Sequence, residues 1–164
     1  DIAGVAVFLA IFAAIVFFAP DLGGLFLEAP NFQPANPLKT PEHIAPVWYF
    51  TPYYAMLRAV PPMFGSQFPG VVVMFAAILI MFFLPWLDRS PVKSVRYKGP
   101  IFKVALAIFA VSFVVLAYLG LQPASPIATM MAQIFTALYF AFFLLMPFYS
   151  KMDSYKPVPE RVTA

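Results

Sequence analysis

Long apolar runs alternate along the chain with segments that carry all of its charge. Residues 2–20 contain no charged side chain. A helix of about 18 residues rises about 27 Å, close to the hydrocarbon thickness of a bilayer. The run therefore predicts a first membrane span at about 2–20, ended by Pro20 and Asp21. Its many β-branched and aromatic residues would suit a strand in water, but in lipid the closed backbone bonding of a helix decides. A second span is predicted at about 70–87, with Trp86 at its end, where interfacial tryptophans sit, and Pro85 in the last turn, where it should kink or end the helix. A third covers about 101–119, with Lys103 snorkelling at its start, and a fourth about 127–149. The tail, 150–164, is polar and broken by prolines, and mobility is expected there. The expected fold class is an all-α membrane protein with four transmembrane helices.

Between the first two spans lies a long connection, roughly 20–69, which holds ten of the chain's 18 prolines together with many aromatic residues. A connection of this length is usually functional or disordered. The density of Trp, Tyr and Phe favours an ordered, packed loop, with a short helix near Pro52–Val60 closed by Pro61 and Pro62.

Composition agrees with the pattern. The chain is 63% hydrophobic and 10% charged, against roughly a quarter charged in soluble domains, so the bilayer is its solvent. The formal charge of +3 does not indicate a nucleic-acid partner, because the basic residues sit at the ends of apolar spans. Eight of the ten Lys and Arg residues lie in the connection between spans two and three, at Lys103, and in the tail. The positive-inside rule places these in the cytoplasm and the long loop on the opposite side, which is the periplasm if the membrane is a bacterial inner membrane. The start at Asp1, without a basic leader, reads as a cut through a longer polypeptide.

The absence of cysteine excludes disulfides and thiolate metal sites, and the single histidine, His43, cannot build a bis-histidine haem centre. No ionisable residue lies mid-span, which disfavours a transporter or proton pump and leaves the spans as scaffold or pocket wall. The candidate chemistry is in residues 41–61, PEHIAPVWYFTPYYAMLRAVP, where prolines stiffen the backbone and rings offer flat faces and hydroxyls. That mixture suits a flat amphipathic ligand such as a quinol. It also suits an interfacial aromatic belt with no ligand at all.

Residues 36–61, NPLKTPEHIAPVWYFTPYYAMLRAVP, resemble the loop of cytochrome b of the bc1 complex that carries the PEWY motif. FAPDLGG (18–24) and FLPWLDRSPVKSVRYKGP (83–100) resemble the exit of its fifth helix and the linker between its sixth and seventh, so the four spans correspond to helices five to eight. The resemblance implies a quinol-oxidation site at Pro46, Val47, Trp48, Tyr49, Phe50 and Tyr54. It also implies a quinone-reduction site at Asp1, a reading it puts ahead of that of an N-terminal acid favoured by the helix dipole. Arg58 is expected to anchor the loop helix. Val47 departs from the motif's glutamate, the proposed acceptor of a quinol proton, and valine has no atom for that task. Glu42, His43 and the tyrosine hydroxyls are the substitutes within the chain, and an acid on a missing part is preferred.

The resemblance further implies two haems b, ligated by histidines in an absent N-terminal part, with ubiquinol and ubiquinone as substrates. The implied partners are that N-terminal part, the Rieske iron–sulfur protein, cytochrome c1 and membrane lipid, in a homodimeric complex that can join a terminal oxidase in a supercomplex. The implied activity is quinol:cytochrome c oxidoreduction coupled to proton translocation, not shown by the chain alone. The rivals are a split subunit of a b6f complex, which has three spans, and a non-catalytic structural subunit.

Overall fold

Helix lengths follow the apolar runs, and prolines set most of the ends. The computed structural model describes residues 1–27, 29–41 and 44–160. Among those residues the chain is built from seven α-helices joined by 3₁₀ turns, with no β-strand. α1 (Ile2–Phe18) has 17 residues, about 26 Å of helix, and none of them is buried. It stops two residues before Pro20, because the residue preceding a proline is driven out of the α region; Ala19 lies at φ −146°. The long connection is ordered around 3₁₀ turns at Leu22–Gly24, Ala29–Phe32 and Trp48–Phe50, and then forms α2 (Thr51–Ala59).

Among the described residues three stretches are long and apolar enough to cross a membrane: Phe68–Leu87, Pro100–Leu121 and Pro126–Leu144. The first is not a uniform helix. α3 (Phe68–Leu79) tightens into a 3₁₀ segment at Ile80–Phe83 before α4 (Leu84–Leu87). The expected kink at Pro85 is thus absorbed over the turn that precedes it, where the missing N–H and the ring disrupt the α ladder. α5 (Pro100–Leu121) and α6 (Pro126–Leu144) each begin with proline in the first turn, where no N–H partner is needed. Ser125 caps α6 by accepting from the Ala128 N–H at 3.1 Å.

Two expectations are corrected. The helix expected to run from 127 to 149 breaks at Leu145, and α7 (Met146–Met152) follows. Pro147 has no N–H for the Phe143 carbonyl, and its ring crowds that carbonyl. The tail is also held further than its composition suggested. The Asp153 carboxylate accepts from the Phe102 N–H at 3.0 Å and the Ile101 N–H at 3.4 Å, capping α5. The Lys156 N–H donates to the Tyr97 carbonyl at 2.8 Å, and the Tyr155 hydroxyl donates to the Ser150 carbonyl.

The core lies where α2 meets α3, α5 and α6. Its buried members include Ala55, Met56, Ala59, Leu116, Leu119, Ala132, Tyr139 and Phe143. The Tyr139 hydroxyl donates to the Ala77 carbonyl at 2.7 Å and ties α6 to α3.

Candidate functional site

The hydrogen bonds that seat the short loop helix reach residues more than 60 positions away. Arg58 donates from its guanidinium to the Leu119 carbonyl at 2.7 Å and to the Gln122 carbonyl at 3.1 Å. Both carbonyls lie at the C-terminus of α5, where a cation is favoured; that of Leu119 also accepts from the Gln122 N–H at 3.2 Å. The Gln133 side chain, on α6, donates to the Ala59 carbonyl at 2.9 Å and closes α2 in the same way. Backbone meets backbone at two glycines: a Cβ on Gly70 would fall 2.5 Å from the Leu57 carbonyl oxygen, and one on Gly120 would overlap the Thr51 carbonyl. Only glycine allows α2 to lie this close to α3 and α5. The expectation that Arg58 anchors the loop helix agrees with this geometry.

This anchored helix sets the motif that precedes it. Val47 opens a 3₁₀ turn, with its carbonyl accepting from the Phe50 N–H at 2.9 Å. The Thr51 hydroxyl, itself buried, donates to the Trp48 carbonyl at 2.8 Å and locks the turn. Pro46 and Val47 are half-buried, whereas the rings of Trp48, Tyr49 and Phe50 are each about half exposed (48%, 55% and 43%). The rings form a continuous edge-and-face series: Phe26 to Trp48 at 6.4 Å, then Tyr49, Phe50, Tyr53 and finally Phe113 of α5. Aromatic pairs at such separations are each worth about 0.5–1.5 kcal/mol beyond area burial. Burial holds the Tyr53 hydroxyl above its ordinary pKa, so it stays protonated and neutral. Tyr54 lies beneath Arg58, with the guanidinium carbon 4.7 Å from the ring centroid. Its hydroxyl makes no hydrogen bond among the described residues.

The expected residues are therefore brought together in part. Pro46, Val47, Trp48, Tyr49, Phe50 and Tyr54 lie on one continuous turn and helix. Glu42 and His43 lie outside the described residues. Asp1 stands at the N-cap of α1 and makes no side-chain cap bond; the 17-residue helix separates it from the loop by about 26 Å. Several residues that build the site went unread from the sequence: Thr51, Gly70, Gly120 and Gln133. Gly120 and Gln133 act through partners 69 and 74 positions away and Gly70 through Leu57, 13 away, so no local spacing marks them; only the bond of Thr51 to the Trp48 carbonyl is local.

Comparison with known proteins agrees with this arrangement. Residues 34–140, which contain the motif turn, α2 and the helices that seat it, match the family described as cytochrome b (C-terminal)/b6/petD. The chain belongs to that family. It is 76% identical over 164 residues to cytochrome b of Allochromatium vinosum, covering all of this chain and 40% of that one. It is 43% identical to cytochrome b of Rhodospirillum rubrum, covering all of this chain and 39% of that one. A solved chain of a hyperthermophilic respiratory complex III superposes with a TM-score of 0.81 at 43% identity, covering 92% of this chain and 36% of that one. The chain thus spans about two fifths of the length of its cytochrome b relatives. The family's all-helical membrane fold is the fold seen here.

Proposed function

We propose that this chain works as the C-terminal part of the cytochrome b subunit of a quinol:cytochrome c oxidoreductase, with residues 46–54 forming one wall of the quinol-oxidation site. The observation that carries this reading is the motif turn itself. Its backbone is immobilised by Thr51, Arg58 and the glycine contacts, yet the three rings it holds are about half exposed. A rigid backbone that displays uncovered aromatic faces suits a flat redox carrier arriving from the membrane. The A. vinosum and R. rubrum relatives are named as cytochrome b, and the matched solved chain belongs to a respiratory complex III, which supports the same assembly.

Within that reading, the rings of Trp48, Tyr49 and Phe50 pack against the quinol, and the Tyr54 hydroxyl, which has no hydrogen-bond partner among the described residues, offers a hydrogen bond to it. Val47 has no proton-accepting atom, so the quinol proton leaves through a group supplied elsewhere, on the part of the subunit outside this chain. Asp1 serves the quinone-reduction site at the other end of α1. The residues here do not fit haem ligation: the chain has one histidine, and no cluster of three His, Cys, Asp or Glu side chains lies among the described residues. We assign the two haems b to the N-terminal part of the subunit, and the Rieske protein and cytochrome c1 as the electron-accepting partners. The basic ends of α4, α5 and α7 face the cytoplasm and the loop faces the periplasm, following the distribution of Lys and Arg.

Tyr54→Phe in the whole complex tests the site. The substitution keeps the ring under Arg58 and removes only the hydroxyl. Loss of one hydrogen bond worth about 1–1.5 kcal/mol lowers kcat/KM for quinol roughly 5- to 10-fold, at unchanged haem content. Wild-type kcat/KM in a variant with full haem content would remove Tyr54 from the site.

A further inference from the structure

A second concavity lies at the other end of the helices, away from the motif. It has a volume of about 700 Å³ and is walled by apolar side chains that include Leu84, Leu106, Phe109, Phe142 and Met146. Its origin is structural. Near mid-helix α3 and α6 are in direct contact, with the Tyr139 hydroxyl on the Ala77 carbonyl and Ala77 fully buried. Beyond that contact the chain tightens to 3₁₀ at Ile80–Phe83 and turns at Pro85, and only the loop after Leu87 leads back to α5. A wedge between α3–α4 on one side and α5–α6 on the other remains. Water gains little there, because an apolar cavity offers it too few hydrogen-bonding partners.

The mouth of the wedge is lined by Asp88, Ser90 and Lys93. Asp88 is neutralised by Lys98, whose ammonium lies 2.5 Å from its carboxylate and 3.8 Å from the centroid of the Phe102 ring. The Ser90 hydroxyl is occupied by the Asp88 carboxylate at 2.7 Å and the Val92 carbonyl at 2.9 Å. Lys93 is exposed and has no ion-pair partner among the described residues, and the same holds for Arg89 and Arg96 in the same loop. The rim is therefore net positive once the internal pair is counted. The volume falls within the range of about 300–1,000 Å³ that accommodates a small-molecule ligand.

We infer that this wedge is a binding site for an anionic phospholipid, with one acyl chain between α4, α5 and α6 and the headgroup phosphate on Lys93. The charge of the rim selects the headgroup. An uncharged quinone would leave Lys93 unused, and a zwitterionic lipid would return a cation to a rim already positive. The inference does not depend on the assignment of the quinol site, because it uses only the membrane-spanning helices and the loop that joins two of them.

The test uses the whole complex purified from its membrane, with phosphatidylglycerol and phosphatidylcholine as probes. Bound lipid per cytochrome b is counted by quantitative mass spectrometry after detergent exchange, and each lipid is then titrated back onto the delipidated complex. Lys93→Glu, on the surface, leaves folding intact; Leu106→Trp fills the wedge. The wild type retains one more phosphatidylglycerol than Leu106→Trp and binds it at least about tenfold more tightly than phosphatidylcholine. Lys93→Glu abolishes that preference while still taking up an uncharged chain. Equal phosphatidylglycerol content in all three proteins overturns the inference, as does loss of a quinone or of a partner subunit's helix, rather than of phospholipid, on filling the wedge. If Leu106→Trp does not assemble, the Lys93→Glu titration decides alone, and an unchanged lipid preference refutes the site.

Discussion

Removing the Arg58 guanidinium should loosen the loop helix without disturbing the helices beneath it. Arg58 makes two charge-assisted hydrogen bonds to the end of α5 and one cation–π contact to Tyr54. A hydrogen bond involving a charged group contributes about 1.5–3 kcal/mol, and an exposed cation–π contact about 0.5–1 kcal/mol. Arg58 is only half-buried, so water replaces part of this when the side chain is lost, and a net of about 2–4 kcal/mol is expected for Arg58→Ala. That is a local free energy, best read as amide exchange rather than as melting of a multi-subunit complex. At about 1.4 kcal/mol per factor of ten, exchange of the backbone amides of 51–60 accelerates roughly 30- to 700-fold in the assembled complex. Hydrogen-exchange mass spectrometry of that peptide measures it, with α5 and α6 as internal controls. Arg58→Lys keeps the charge but loses the planar fork that reaches two carbonyls, and falls between the two. Exchange within threefold of wild type in Arg58→Ala would refute the claim that this side chain seats the loop helix. Equal acceleration in α6 would show a global effect and refute it as well.

Two further outcomes follow from the same packing. Gly120→Ala places a methyl group against the Thr51 carbonyl, so α2 must move; overpacking of this kind costs about 1–3 kcal/mol, and the same exchange assay should show faster amides in 51–60, whereas Gly4→Ala, where a Cβ meets nothing within 4 Å, should leave them unchanged. At the opposite end, burial by itself would raise the pKa of Asp88, but Lys98 and the Ser90 hydrogen bonds outweigh it and hold the carboxyl below its usual range. A carboxyl with a depressed folded pKa contributes stability that is fully present above its unfolded value of about 4 and lost as pH falls through the lower folded value. Limited proteolysis of the 88–99 loop should therefore be flat from neutral pH down to about pH 5, and should rise in acid; Asp88→Asn should show the raised level at every pH.

The order of the helices, their apolar character and the family were legible in the chain because each is a local property. A run of about 20 residues without charge can only satisfy its backbone in lipid as a helix, and PVWYFTPYY is contiguous. Pro20 and Pro85 marked an end and a bend for the same local reason. Pro147 was in plain view, yet the break at Leu145 was missed because an apolar run of adequate length suggested an unbroken helix.

What tertiary structure alone decided is how the motif is held. Arg58 finds carbonyls 61 and 64 residues away, Gln133 reaches back to Ala59, and Asp153 caps a helix that begins over fifty residues earlier. Gly70 and Gly120 could have been ordinary glycines of apolar helices until α2 was found lying against them. Composition and period report the environment a segment prefers. They do not report which carbonyls at helix ends lie within reach of a distant side chain, and it is those carbonyls, at the ends of α2 and α5, that take the partners on which the loop is built.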